Sequence, residues 1–210
     1  MRDPQRTPFT LRVLAFSVVV LDGCSFGRAT PTRFYSLTTI SQGDAAPQTT
    51  PARNVSIGVG PIELPQYTNR PQIVTGNSTN ELHQAAFAQW AEPLSDNFTR
   101  ILTENLSVLL ATDRVSTFSW KGPMLIEYQV IVEVTRFLGE PGGQASLVAL
   151  WSIVGKTGKE VLVSKKSSFS EPTKSQEYED LAVAMSRNVA ALSRDIATEI
   201  LTLAQQPAGR

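Results

Sequence analysis

The chain has one cysteine and one histidine among its 210 residues. A single cysteine cannot form an intramolecular disulfide or a zinc site built from several cysteines. A single histidine likewise excludes a metal centre with several histidine ligands. Basic and acidic residues number 19 each, so the net charge is zero and no strong field attracts nucleic acid. These shortages exclude many metalloenzymes and nucleic-acid-binding proteins, and we expect no cofactor.

The N-terminus has the pattern of an export signal. Arg2, Arg6 and Arg12 precede an apolar run over residues 13–21. That run is too short to cross a bilayer as a helix, which needs about 20 residues. A basic start followed by a short apolar core is typical of a signal peptide. We therefore predict that residues 1–23 are a lipoprotein signal peptide and take no part in the fold.

The only cysteine stands directly after this signal. Residues 21–24 read Leu-Asp-Gly-Cys, which resembles a bacterial lipobox, where a peptidase cuts before the cysteine and lipid is attached to its thiol. Asp22 departs from that motif, because the position is usually small or apolar. The alternative is an ordinary signal peptide followed by an unrelated cysteine. We predict lipidation of Cys24, and Ser25 after it favours the outer membrane, as in the lipoproteins that the motif resembles.

Residues 24–53 form the predicted lipid-anchored segment. Residues 33–37 contain β-forming side chains in alternation, which predicts one short strand. Residues 41–53 have no large apolar side chain and contain two prolines, which predicts a linker that lets the domain stand off the bilayer. The domain itself is predicted over residues 54–204, and residues 205–210 are predicted to be a tail.

Hydrophobic spacing in the domain predicts two long helices. Apolar residues from Leu94 to Leu109 share one side of a helix that begins after Pro93. A second apolar stripe, from Leu181 to Leu203, predicts a closing helix from about residue 177.

Alternating apolar residues predict the sheet. Three consecutive segments, 126–135, 145–154 and 160–168, predict an antiparallel meander, whose middle strand is apolar on both faces and therefore central. Strands at 54–59 and 115–120 are expected to join through the first helix in a parallel crossover. The fold class is α/β, with two long helices packed on a mixed sheet.

A proline-rich stretch over residues 61–74 is the main candidate for recognition. Its three prolines lack backbone donors, which predicts an extended run along an edge or the surface. Tyrosine and arginine are frequent at interface hot spots, and a stiff segment loses little entropy on binding. The candidate partner-binding residues are Pro65, Tyr67, Arg70, Pro71, Gln72 and Trp90. The alternative is that Tyr67 and Arg70 merely hold this segment on its own core.

Signals for catalysis are weak. His83 is the only imidazole that could activate a nucleophile, and its surroundings do not form a nucleophile elbow. The sequence Gly155-Lys156-Thr157 lacks the upstream glycine of a phosphate-binding loop. We predict no catalytic residue and no metal ligand, and a periplasmic hydrolase that uses His83 is a less favoured alternative.

The order of several short motifs resembles the PqiC (YmbA) family. They are the lipobox, RFYSL (33–37), VGP (59–61), LPQY (64–67), RPQIV (70–74), NEL (80–82), WAEPL (90–94), TDRV (112–115) and LSRDIA (192–197). The resemblance extends over nearly the whole mature chain. It implies an ABC-type transport auxiliary lipoprotein that accompanies an MCE lipid-transport system, with a fold similar to the N-terminal domain of TolB.

The resemblance also implies partners and a location. Members of this family are outer-membrane-anchored and periplasmic, and they dock the end of a PqiB-like MCE tunnel, which is tied to a PqiA-like inner-membrane protein. Homo-oligomers are a further possibility in the family. We therefore expect a non-catalytic docking subunit that contributes to envelope integrity. A periplasmic lipid-binding carrier is the main alternative.

Overall fold

The computed structural model describes residues 30–41, 55–76, 80–119 and 125–206. The predictions for the signal peptide over residues 1–23, for Cys24, for residues 42–53 of the linker and for the last four residues of the tail lie outside these ranges.

Eight strands and two helices make up the described part of the chain. Their bounds are β1 (Arg33–Tyr35), β2 (Ile57–Glu63), β3 (Gln72–Thr75), β4 (His83–Trp90), α1 (Leu94–Leu110), β5 (Val115–Thr117), β6 (Tyr128–Gly139), β7 (Gln144–Gly155), β8 (Val161–Pro172) and α2 (Tyr178–Gln205). A short 3-10 turn, Gln66–Thr68, lies between β2 and β3. The predicted α/β class, with two long helices and a mixed sheet, is confirmed.

All eight strands belong to one sheet, which is organised around β6. Strand β7 pairs with β6 from Tyr128 to Gly139 and continues to β8 on its other side, both times antiparallel. The opposite edge of β6 is shared by two strands: β2 runs parallel to its first half, and β3 meets it at Gly139. Beyond them, β5 pairs with β2, while β4 and then β1 extend the sheet from β3. The predicted meander and its central strand β7 are confirmed.

The crossover through α1 is also confirmed as parallel, since Ile57 of β2 pairs with Val115 of β5. The two strands are separated in sequence by β3, β4 and α1. Strand β4 occupies a stretch for which no helix or strand was predicted.

The prediction that the proline-rich stretch stays at an edge or on the surface is wrong for its last part, which is strand β3. Strand β3 lies between β4 and β6. Strand β2 continues through Pro61 to Glu63 and, among the described strands, pairs there with β6 alone, because β5 pairs only with Ile57 to Val59. The sheet tolerates Pro61 because the register shifts between Val59 and Ile62, so Pro61 has no paired position in the ladder. Pro71 precedes β3, where its missing donor interrupts no ladder bond.

The two helices bury the apolar stripes that define them. Phe98, Ile101 and Leu102 of α1 are buried, as are six of the seven stripe residues of α2. The rings of Phe98 and Phe137 meet edge to face with centroids 5.4 Å apart, which joins α1 to the sheet. Each such side chain, once removed from water, contributes about 1.5–3 kcal/mol to stability.

The segment from β1 to Ile40 is fixed between both helices. The backbone N–H of Leu37 donates to Asn97 Oδ1 at 2.7 Å, and that of Ile40 donates to Asn105 Oδ1 at 3.0 Å. Both amides lie on the buried side of α1. Residues 33–40 are therefore part of the domain, although they precede the predicted linker.

The described residues on either side of the predicted linker, residues 41–53, contact the same part of the domain. Ile40 is bound to α1, and the carbonyl of Val55 accepts a hydrogen bond from Thr112 just after α1. Both ends of that segment therefore join the same domain.

Candidate functional site

An open groove of about 570 Å³ lies beside the N-terminus of α1. One wall is formed by residues of the stretch 64–71, and the other by Trp90–Ser95. Four of the six predicted partner-binding residues line it: Pro65, Arg70, Pro71 and Trp90. The structure thus brings together residues that are some 20 positions apart in the sequence.

Backbone hydrogen bonds hold the two walls in place. The N–H of Trp90 donates to the carbonyl of Pro71 at 2.7 Å, which joins one wall to the other. Within the first wall, the carbonyl of Pro65 accepts from the backbone N–H of Thr68 at 2.9 Å and from its hydroxyl at 2.7 Å. On the second wall, Ala91 N–H donates to the carbonyl of Tyr35 at 2.8 Å. The groove is therefore preformed, and a ligand would have little backbone to order.

Apolar side chains dominate the groove walls. Leu64, Pro65, Pro71, Pro93 and Leu94 all contribute. A surface of prolines and leucines suits an apolar or proline-containing segment that arrives in an extended conformation.

Arg70 and Glu92, two charged residues of the groove, differ in whether their side chains have a partner among the described residues. The Arg70 side chain is exposed and has no hydrogen bond or ion pair with any described residue. Glu92, by contrast, accepts from Asn97 Nδ2 at 2.7 Å and from Arg100 at 2.6 Å. The hydrogen bond to Glu92 is the main reason why the pKa of Arg100 lies above its ordinary value. Because Glu92 is already compensated, the groove presents the positive charge of Arg70.

Tyr67 and Gln72 are not among the residues that line the groove. The hydroxyl oxygen of Tyr67 accepts the backbone N–H of Phe137 at 2.9 Å, so this side chain is directed to β6. Burial raises the pKa of Tyr67, although the hydrogen bond from Phe137 and the charge of Arg136 oppose that shift. Gln72 begins β3 and is half-buried. A contact of either residue with a partner stays a prediction.

His83 lies at the opposite end of β4 from Trp90. Its Nε2 is 3.5 Å from Glu81 Oε1, and both side chains are exposed. Over the described ranges, no group of three or more His, Cys, Asp or Glu side chains could hold a metal ion.

The most consequential residues that the sequence predictions missed are Asn97 and Glu92. Asn97 accepts the Leu37 N–H and donates to Glu92, so it connects the β1 segment, the groove wall and α1. A signal for it existed: Asn97 and Asn105 are polar residues on the apolar side of an amphipathic helix, where a buried amide needs partners.

The described residues form a mixed α/β domain with an open groove beside α1. The family model of ABC-type transport auxiliary lipoprotein components matches residues 35–197. The chain therefore belongs to this family, as its resemblance to PqiC (YmbA) sequences predicted. A comparison with curated proteins finds no significant match. None of the helices in the described part of the chain is long and apolar enough to cross a membrane.

Two solved structures support the fold. A DUF330-family protein from Xanthomonas campestris is 17% identical, with a TM-score of 0.68 over 83% of this chain and 98% of its own. An uncharacterised protein is 20% identical, with a TM-score of 0.65 over 81% of this chain and 99% of its own. PelC from Paraburkholderia phytofirmans, solved as a dodecamer, is 13% identical over 75% of this chain and 92% of its own, with a TM-score of 0.38. The last similarity is too low to inform the oligomeric state of this chain.

Proposed function

We propose that this protein is a non-catalytic docking subunit of an MCE lipid-transport system, anchored to the outer membrane through Cys24 and exposed to the periplasm. Its partner is a PqiB-like tunnel protein, which links it to a PqiA-like protein of the inner membrane. Membership of an auxiliary transport family supports the general role. The lipobox-like sequence at residues 21–24 supports the anchor.

The preformed groove beside α1 is the observation that carries the docking function. Its apolar walls suit an extended segment, and the uncompensated charge of Arg70 suits an acidic group near that segment. We therefore infer that the groove receives an extended, apolar segment of the tunnel protein that carries a carboxylate.

A docking role fits the described interior better than a lipid-carrier role. Directly below the groove, the space between Trp90, Phe137 and Met185 measures only about 10 Å³. That is about the volume needed for one water molecule. An acyl chain would therefore need to displace core side chains. Phospholipid in native mass spectra of the purified protein would instead favour the carrier.

Co-purification from membranes tests the groove. Cells expressing the tagged lipoprotein with its tunnel protein are solubilised, and the captured tunnel protein is quantified. The variant Arg70→Ala should lower capture, because it removes the uncompensated charge of the groove while leaving the fold intact. Arg194→Ala is the matched control, since Arg194 is an exposed arginine on α2 outside the groove. Equal capture by both variants contradicts the proposed site.

The anchor has a separate test. Cys24→Ser removes the thiol that would carry the lipid, so the mature protein should move from the membrane fraction to the soluble periplasmic fraction. If the variant still sediments with outer membranes, lipidation of Cys24 does not anchor this protein.

A further inference from the structure

Two phenylalanines are exposed side by side on the edge of the sheet where the chain enters the domain. Phe34 on β1 is 64% exposed, and Phe87 on β4 is 50% exposed. Strands β1 and β4 are parallel, and Phe34 pairs with Gln89, two residues after Phe87. The intervening Ala88 and the following Trp90 are buried, so Phe87 and Gln89 face outward with Phe34.

The position of Phe34 is fixed by the residues on either side of it. Arg33 forms ion pairs with Glu177 at 3.1 Å and with Glu179 at 3.8 Å at the start of α2. The ring of Tyr35 lies 6.3 Å from that of Tyr178. Phe34 is therefore held outward by a strand that is tied to the fold on its inner face, and the ring cannot turn inward without breaking these contacts.

The length of the chain before β1 indicates what covers this pair. Phe34 is ten residues after Cys24 in the sequence, and ten extended residues span at most about 35 Å. Because β1 runs parallel to β4, residues 30–32 join β1 at its end nearer the start of β4, which is the side of Phe87. A lipid on Cys24 would thus hold the bilayer surface within reach of both rings.

The charges nearby favour apolar contact over electrostatic attraction. Arg33 is compensated by Glu177 and Glu179, so it leaves no positive charge to attract anionic lipid. Exposed apolar side chains can bury their surface at the boundary between headgroups and acyl chains, as the apolar faces of interfacial amphipathic helices do to a depth of about 5–10 Å.

We propose that Phe34 and Phe87 insert into the leaflet that holds the lipid of Cys24, so that the domain has a fixed orientation on the membrane. This inference rests on the lipidation proposed above. Trp90 lies on the opposite face of β4 from Phe87, and the groove that it lines then stays clear of the lipid.

Site-directed spin labelling of the full, processed lipoprotein tests this proposal. Cys24 is the only cysteine, and its acylated thiol does not react, so Phe34→Cys and Phe87→Cys each introduce a single reactive thiol. The matched control is Val161→Cys, at an exposed position (60%) on β8, the strand that ends the other side of the sheet. Each labelled protein is reconstituted into phosphatidylethanolamine–phosphatidylglycerol vesicles, and label accessibility is measured with oxygen and with a water-soluble nickel chelate.

Insertion predicts that the labels at positions 34 and 87 lie about 5–10 Å below the headgroups, favouring oxygen over nickel, while the label at position 161 favours nickel. If the labels at positions 34 and 87 are both as accessible to nickel as the control label, the insertion proposal is wrong, while the anchor proposal is unaffected. Labels shielded from both reagents, in detergent as well as in vesicles, would place the pair against protein and also overturn it. If the unlabelled wild-type protein fails to float with the vesicles, the anchor proposal fails, and this one fails with it.

Discussion

The Tyr67 hydroxyl accepts the backbone N–H of Phe137 at 2.9 Å across 70 residues of sequence. This bond lies where the ladder along β6 is interrupted, since β2 pairs with β6 up to Glu133 and β3 meets it at Gly139. The Tyr67 side chain, from the turn between β2 and β3, thus provides the acceptor for a backbone N–H of β6 that pairs with neither β2 nor β3.

Tyr67→Phe should lower the free energy of unfolding by about 1–3 kcal/mol, because it leaves the Phe137 N–H without its acceptor in a partly buried place. Chemical denaturation at neutral pH measures the loss. Tyr128→Phe is the control, since the Tyr128 hydroxyl has no hydrogen-bond partner among the described residues. Equal effects of the two changes would contradict the role of this bond.

Stability should fall as the pH rises above 10. Burial raises the pKa of Tyr67, Tyr128 and Tyr178 above the ordinary value of 10.0. Between the unfolded and folded pKa values the native state binds more protons than the unfolded state, so stability is complete below the unfolded pKa and is lost as the pH passes through the folded one. Denaturation from pH 8 to 11 measures this loss, and Tyr67→Phe should make the decline shallower. A flat profile would contradict the prediction.

Asn97→Ala should release the β1 segment from α1. The Leu37 N–H loses its buried acceptor, which costs about 1–3 kcal/mol, and Glu92 loses a donor. Hydrogen exchange should show faster exchange at Leu37, while amides in β7 change only through the global loss of stability. Asn69→Ala, at an exposed position, is the control. Unchanged exchange at Leu37 would sink this prediction.

Ser167→Ala should disrupt the connection between the sheet and α2. The Trp151 Nε1–H donates to the Ser167 hydroxyl at 3.0 Å, and that hydroxyl donates to Asp195 Oδ2 at 2.8 Å. Removal of the hydroxyl leaves a buried indole donor unpaired, at a cost of about 1–3 kcal/mol. Thermal unfolding followed by tryptophan fluorescence measures it, with the exposed neighbour in Ser168→Ala as the control. A melting temperature equal to that of the control would argue against the network.

Elements with a strong period were predictable from the sequence. The stripe of α2, from Leu181 to Ile200, reports burial against the sheet directly, because each apolar residue recurs on one side of the helix. Strands β6 to β8 were predictable for the same reason, since alternation and short turns specify an antiparallel meander.

The position of β3 was not predictable from local pattern. Its four residues become central only because β4 and β6, which lie elsewhere in the sequence, pair with either side of them. Prolines argued against this position, but Pro71 precedes the strand and Pro61 lies at a register shift, so neither removes a ladder bond.

The candidate site was predictable in part. Pro65, Arg70 and Pro71 could be predicted from residue type alone, because proline stiffens a segment and arginine is frequent at interface hot spots. The Tyr67 side chain is directed by the backbone N–H of Phe137, which lies 70 residues away in the sequence. The charge of Glu92 is compensated by Arg100. Such pairings arise from the tertiary fold and leave no local pattern.

The segment of residues 33–40, which is held by contacts to α1 and α2, affects how the domain responds to a pulling force. A pulling force on the N-terminal end reaches the fold at Arg33. Three sets of contacts resist it: the ion pairs of Arg33, the short β1–β4 ladder and the hydrogen bonds to Asn97 and Asn105. A force applied through the N-terminal end would therefore be distributed over both helices and the sheet instead of peeling one strand away.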